Sequence, residues 1–220
     1  MRAFELISEQ IPPLVHSDTG EKAMNFMDEF KVSHLPVLKN GQFVGLVSES
    51  EILDRLEIQQ SLDHLFHHLS RPYVNENSHI FEVLTKMSDD RLSVMPILDE
   101  HENYVGCTSI YEVMTQLAKT GSFKEIGGII VLEINSLEYS MAQIAQIVES
   151  NNARILSAYI LSNEVSSNIE VTLKINQLDL TRIIRTFERY DYTVKTTFQK
   201  GFGDDDLQTR YDSLMNYLKL

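Results

Sequence analysis

Apolar and polar positions along the first 120 residues follow two alternating rhythms, and the order in which they alternate occurs twice. Ala23, Met24 and Met27 recur at helical spacing, and Val83, Leu84 and Met87 repeat that pattern sixty residues later. Each helical stretch is followed by a short apolar run interrupted by proline: residues 32–38 read VSHLPVL and residues 92–98 read LSVMPIL. A turn comes next, Lys39-Asn40-Gly41 in the first copy and residues 99–103 in the second. Asn-Gly between apolar runs predicts a tight hairpin, because both residues tolerate positive φ. A second run then appears, FVGLVS at 43–48 and YVGCTS at 104–109. Glu51, Ile52 and Leu53 open another helix, as Glu112, Val113 and Met114 do in the second copy. Each unit therefore reads helix, strand, turn, strand, helix, over about 12–58 and 72–119. The stretch between them, 61–70, reads as a helix. Fixed periods of this kind are the sequence signature of a repeat architecture.

Beyond Gly127-Gly128 the pattern changes. A β-branched run over 129–134 is followed by Met141, Ile144, Ala145 and Val148 at helical spacing. Strands follow over 154–161 and 169–175, the latter alternating apolar and polar, with a Ser/Asn-rich loop at 163–168 between them. Leu180, Ile183, Ile184 and Phe187 form a further amphipathic helix, and 192–198 a last strand. The order βαββαβ predicts a ferredoxin-like α+β sheet with both helices on one face. Residues 201–206 break the pattern, and Leu207, Tyr211, Leu214, Met215 and Leu218 form a final helical stripe.

In the first half the motifs resemble a tandem cystathionine-β-synthase (CBS) domain pair. That family's repeat has a hydrophobic-Pro-Val strand, a turn, then Val-Gly, two hydrophobic residues and Thr/Ser-x-x-Asp leading into a helix. Leu35-Pro36-Val37 and Val44 to Glu51 fit one copy, Met95-Pro96-Ile97 and Val105 to Glu112 the other. The second half is similar in topology to an ACT-type regulatory domain, and the whole layout resembles the acetoin-utilisation accessory proteins. The expected organisation is a CBS pair over 1–120, an ACT-like domain over 127–200 and a helical tail over 201–220.

Composition narrows the function. The chain is 220 residues with 32 acidic and 19 basic side chains, a net charge of −13. That balance argues against phosphate-driven nucleic-acid binding and against a basic membrane-surface helix. One cysteine, Cys107, excludes an internal disulfide and reads as a core residue of a protein in a reducing compartment. Acidic Glu5 and Glu9 interrupt the N-terminal stretch where a signal peptide needs an apolar core, so a cytoplasmic location is expected. No nucleophile elbow, phosphate loop or recognisable Cys/His pair appears, which points away from an enzyme.

The candidate chemistry lies at the two strand-to-helix junctions, Ser48 with Glu51 and Ser109 with Glu112. The resemblance implies that the hydroxyl bonds a ligand phosphate and the carboxylate takes both ribose hydroxyls of an adenosine ligand: AMP, ADP, ATP or S-adenosylmethionine. The family has Asp where this chain has Glu, and the extra methylene moves the oxygens by about 1.5 Å. The competing reading is a helix cap, with Ser closing the first turn and Glu favoured by the helix dipole. His34 stands where some relatives contact phosphate, and Val94 replaces it in the second copy. Pro36 and Pro96 are expected to fix strand entry, leaving nearby backbone groups for an adenine edge. His64, His67 and His68 fall at i, i+3 and i+4, a spacing that puts three imidazoles on one helical face; nothing nearby in sequence completes a zinc site, so no metal is expected. In ACT-type domains the loop after the first strand binds small ligands; here 135–140 has no glycine and contains Glu138, which favours a pairing role. Two functions compete: a regulatory sensor of an adenosine ligand acting on an unidentified partner protein, and a ligand-free scaffold that dimerises. A homodimer is expected under both.

Overall fold

The computed structural model describes residues 1–119, 123–162 and 166–199. The chain divides into two compact units, Met1–Ala118 and Lys119–Leu220.

The first unit is built twice from one plan. In the first copy β1 (Leu14–Val15) precedes α1 (Gly20–Phe30), β2 (His34–Lys39), β3 (Gln42–Ser48) and α2 (Glu49–Arg55). In the second, β4 (Val74–Asn75) precedes α3 (Ile80–Asp89), β5 (Val94–Leu98), β6 (Tyr104–Ser109) and α4 (Ile110–Lys119). Each copy forms a three-stranded sheet, ordered β1-β2-β3 and β4-β5-β6, with the first pair parallel and the second antiparallel. The Asn40-Gly41 turn has φ of 51° and 80°, as a two-residue hairpin loop requires. Helices α1 and α3 bury the residues their periodicity selects, Ala23 and Met27 in one and Val83 and Met87 in the other.

Two stretches behave differently from the sequence reading. The 61–70 segment is a 3₁₀ turn over Leu62–Leu65 followed by further turns, rather than an α-helix. Its alternation of buried Leu62 and Leu65 with exposed Asp63, His64, His67 and His68 serves to seat two leucines in the first repeat's core. Prolines 36 and 96 lie inside β2 and β5, not at their entries, and both are buried. This is permitted because the flanking β1 and β4 are two residues long and pair only with 37–38 and 97–98, so no ladder bond is lost at the proline.

The N-terminal eight residues, which carry no period, dock on the second repeat. Ala3 and Leu6 from a 3₁₀ turn (Ala3–Leu6) join Val74, Ile80, Val83, Met95 and Ile97 in that repeat's core. The backbone is tied by Ala3 N–H to the Ser78 carbonyl at 2.8 Å and Ser8 N–H to the Cys107 carbonyl at 2.9 Å. The linker does the same to the first repeat, where Leu46 N–H donates to the Ser70 carbonyl at 2.9 Å. Each incoming segment crosses β3 or β6 at its glycine. A Cβ on Gly45 would stand 2.7 Å from the Ser70 carbonyl oxygen, and one on Gly106 2.7 Å from Ile7 Cγ2.

The second unit is a four-stranded antiparallel sheet ordered β10-β7-β9-β8, from β7 (Gly128–Asn135), β8 (Ile155–Ser162), β9 (Asn168–Ile175) and β10 (Thr193–Phe198). Helices α5 (Met141–Ser150) and α6 (Thr181–Arg189) supply Ile144, Ile147, Val148, Ile183 and Phe187 to a core with Ile130, Leu132, Val171 and Leu173 of the sheet. This is the ferredoxin-like βαββαβ arrangement. The C-terminal stripe from Leu207 to Leu218 and part of the 163–168 loop lie outside the described residues.

Gly45→Ala is expected to cost about 1–3 kcal/mol, because the obstructing atom is a backbone carbonyl that cannot rotate away. Gly106→Ala meets a side chain, so Ile7→Ala should recover part of its loss in a double-mutant cycle, whereas Leu69→Ala should not rescue Gly45→Ala. Urea midpoints of the four single and two double variants check this; equal behaviour of the two glycines would contradict the packing described.

Candidate functional site

The repeats meet where β2 faces β5. Ser33 N–H donates to Ser93 Oγ at 3.0 Å, and the rings of Phe43 and Tyr104 stack with centroids 6.2 Å apart. Ser33 and Ser93, like Phe43 and Tyr104, are equivalent positions in the two copies, so these contacts mark a local twofold relation. His34 breaks it. Its Nδ1 lies 3.1 Å from Ser33 Oγ, 3.0 Å from Ser93 Oγ and 3.3 Å from the Ser93 backbone nitrogen. The Ser93 N–H donates to that nitrogen, which places the ring proton on Nε2. Burial pulls the His34 pKa below the ordinary 6.5, opposed by the negative charge of Glu51. Val94, its counterpart, is fully buried and apolar.

The two strand-to-helix junctions differ. At the first, Ser48 and Glu51 form a capping box: Glu51 N–H donates to Ser48 Oγ at 3.2 Å. Glu51 Oε2 accepts from both the Ser48 N–H and the Ser48 hydroxyl, each at 2.8 Å. Hydroxyl and carboxylate are thus turned on each other, as in the cap reading. At the second, Glu112 N–H donates to Ser109 Oγ at 3.1 Å, but the Glu112 carboxylate is turned along the helix, where Oε1 accepts from Gln116 at 2.7 Å. Among the described residues the Ser109 hydroxyl hydrogen and Glu112 Oε2 have no hydrogen-bond partner.

Ser109 and Glu112 line a cavity of about 660 Å³. Its other walls are the 7–11 segment and the C-terminal end of α1, including Ile7, Ile11, Phe30 and Val32. Volume and mixed apolar and polar lining suit a small organic ligand. The cavity takes residues from both repeats, since α1 belongs to the first and the β6–α4 junction to the second.

Other candidates separate from this site. Cys107 is buried with its Sγ 3.8 Å from the Ile11 carbonyl oxygen, and burial pushes its pKa up to about 11. A thiol held protonated in this way is a poor nucleophile. His64 and His67 are exposed, and His68 Nδ1 lies 3.5 Å from Arg55 Nη1. Among the described residues no group of three or more His, Cys, Asp or Glu is placed to hold a metal ion. In the second unit the 135–140 loop borders a cavity of about 400 Å³ lined by Glu133, Glu138 and Asp191 and by no cationic side chain. A free amino acid's carboxylate would find no counter-charge there.

His34 generates a pH dependence whose sign follows from its depressed pKa. In the unfolded chain the imidazole takes up a proton as pH falls through about 6.5; in the folded chain it does so only at lower pH. The unfolded state binds more protons in that window. The His34 contribution to stability is therefore complete above about 6.5 and is lost as pH falls toward the folded value. Chemical denaturation between about pH 7 and 5.5 should show a shallower loss for His34→Gln than for wild type, and the His34 ring resonances should titrate below 6.5. A midpoint above 6.5 would contradict the burial.

The CBS domain family model matches residues 3–58 and 68–119. No curated protein matches the chain. Similar solved structures include a CBS domain pair/ACT domain protein from Thermotoga maritima, 22% identical, covering 54% of this chain and 98% of that one with a TM-score of 0.47. CBSX2 in complex with AMP is 14% identical, with 54% and 96% covered and a TM-score of 0.45. The CBS domain of a bacterial CNNM/CorC family Mg2+ transporter in complex with ATP is 16% identical, with 54% and 87% covered and a TM-score of 0.43. The two segments matched by the family model coincide with the two copies that carry the proline strands and hairpins. The N-terminal half of this chain is a tandem pair of CBS domains.

Proposed function

We propose that the chain is a non-catalytic regulatory module that senses an adenosine-containing ligand in the cleft formed by Ser109 and Glu112. The observation that carries this reading is the open state of that pair on a cavity wall: among the described residues, a hydroxyl with its hydrogen unused and a carboxylate oxygen without a partner. A vicinal diol donates two hydrogen bonds, and a carboxylate accepts both with good geometry. The Glu side chain, longer than the family's Asp, reaches the ribose when it releases Gln116. His34 serves the junction between repeats through Ser93, while Pro36 and Pro96 shape β2 and β5.

The domain organisation that accompanies this reading is a CBS pair over 1–120, an ACT-like module over 127–200 and a tail over 201–220, in a cytoplasmic protein related in layout to acetoin-utilisation accessory proteins. No helix among the described residues is long and apolar enough to cross a membrane. The ACT-like module passes the ligand signal to a regulated protein and pairs with a second copy. Support for pairing comes from β8, an edge strand of eight residues (ILSAYILS) with no charge and no proline, and with Tyr159, Ile160 and Leu161 exposed. Edges of soluble proteins are ordinarily blunted by such residues; one without them is suited to antiparallel pairing with itself. The second reading, a ligand-free scaffold, is favoured at the first junction alone, where Glu51 is consumed by its cap.

Calorimetry with AMP, ADP, ATP, adenosine and S-adenosylmethionine tests the sensor. Glu112→Ala should weaken whichever ligand binds by about ten- to hundredfold, the cost of about 1.5–3 kcal/mol for losing a charged acceptor. Glu51→Ala should leave affinity within about threefold while lowering stability by about 1 kcal/mol through the lost cap. Absence of binding by every compound leaves the scaffold reading. Light scattering is expected to give a dimer at tens of micromolar, and Ile160→Lys should shift it toward monomer. A strict monomer in wild type would remove the pairing role.

A further inference from the structure

The charge around the Ser109–Glu112 cavity restricts what kind of adenosine ligand it can take. Its lining carries three carboxylates, Glu9, Glu29 and Glu112, against one ammonium, Lys31. That ammonium is solvent-exposed and its Nζ donates to Asp28 Oδ1 at 2.8 Å, so an adjacent carboxylate offsets its charge. Among the described residues no arginine and no histidine faces the cavity. The other positive feature among the described residues is the start of α4, whose N-terminal dipole is equivalent to about half a unit charge. A triphosphate brings about four negative charges into this surrounding and meets a net negative wall. A nucleoside without phosphate brings none, and a sulfonium brings a positive one. The apolar faces of Ile7, Ile11, Phe30 and Val32 are available to a flat base whatever the charge of its 5′ substituent.

We infer that this cleft selects adenosine derivatives whose 5′ substituent is neutral or cationic, and rejects polyphosphates. The inference rests on the sensor reading above and narrows its ligand class. Glu112 holds the ribose, while Glu9 and Glu29, both exposed at the rim, set the charge. These rim carboxylates act at a distance through solvent, so their influence is strongest at low ionic strength and is screened by salt.

The test is calorimetry on the full chain with adenosine, S-adenosylmethionine and ATP at low salt and again at about 0.5 M salt. Adenosine and S-adenosylmethionine should bind at least about tenfold tighter than ATP at low salt, with the gap closing as salt rises. The double variant Glu9→Gln/Glu29→Gln should bring ATP to within about threefold of adenosine without weakening adenosine. Circular dichroism confirms that the double variant is folded, which its exposed positions favour. ATP binding tightest in wild type, with that binding lost in Glu112→Ala, would overturn the charge selection and leave the sensor reading standing. Binding of none of the three, in wild type and double variant alike, would overturn both.

Discussion

The first unit depends on two places where an incoming segment packs directly onto a strand glycine, by its backbone at Gly45 and by the Ile7 side chain at Gly106. Gly45 and Gly106 sit in the middle of β3 and β6, and the absent Cβ lets the 61–70 linker and the N-terminal segment lie against those strands. The crossings are exchanged between repeats: the N-terminal residues complete the second core, and the linker completes the first. A single repeat is therefore incomplete without a segment lying outside its own helix-strand-strand-helix stretch. The pair folds together because each half borrows its last hydrophobic residues from across the chain, Leu62 and Leu65 in one case and Ala3 and Leu6 in the other.

The same scaffold gives two unequal clefts, and one side chain explains the difference. Four residues after Glu112 stands Gln116, whose amide draws the carboxylate along the helix and away from its cap. The equivalent residue in the first copy is Arg55, which is turned toward His68 on the linker. Glu51, without an amide beside it, folds back onto Ser48 and completes the capping box. His34 adds to the asymmetry, because its half-buried ring is engaged by both Ser33 and Ser93 near Glu51, where the second copy has only Val94. Near-identical motifs thus produce a self-satisfied junction and an open one.

The repeat was legible in the sequence because its punctuation is local chemistry. Proline, Asn-Gly, Val-Gly and Ser-x-x-Glu each constrain a few residues, and their order identifies the unit without any tertiary information. The alternation in 169–175 and the helical spacing of Ile183, Ile184 and Phe187 similarly disclosed the ferredoxin-like unit. The incoming segments were not legible, since a four-residue 3₁₀ turn has no period to detect. Glycine inside a strand pattern does signal a close backbone approach, and Gly45 and Gly106 carried that signal; what approaches them is a long-range fact. Of the site, the four Ser and Glu residues were identifiable, but which pair is open depends on Gln116 and on walls contributed by α1 and the 7–11 segment. No spacing rule within the Ser-x-x-Glu motif reaches those elements.

The cavity wall also bears on how binding could be read out. Its three sides are the 7–11 segment, the end of α1 from the first repeat and the β6–α4 junction from the second. The 7–11 segment continues directly from the stretch held over Gly106, and Lys31 at the end of α1 is in the left-handed conformation that turns the chain into the strand bearing His34. A ligand between them touches both repeats at once, so its affinity depends on the angle between them. It can shift that angle only by the difference in its contacts between two arrangements. In the proposed complex an adenosine would make those contacts with the 7–11 segment, the end of α1 and the start of α4. A polyphosphate would instead put its binding energy into exposed rim side chains, where solvent weakens the coupling to the fold. The charge of the wall and the geometry of transmission therefore favour the same class of ligand.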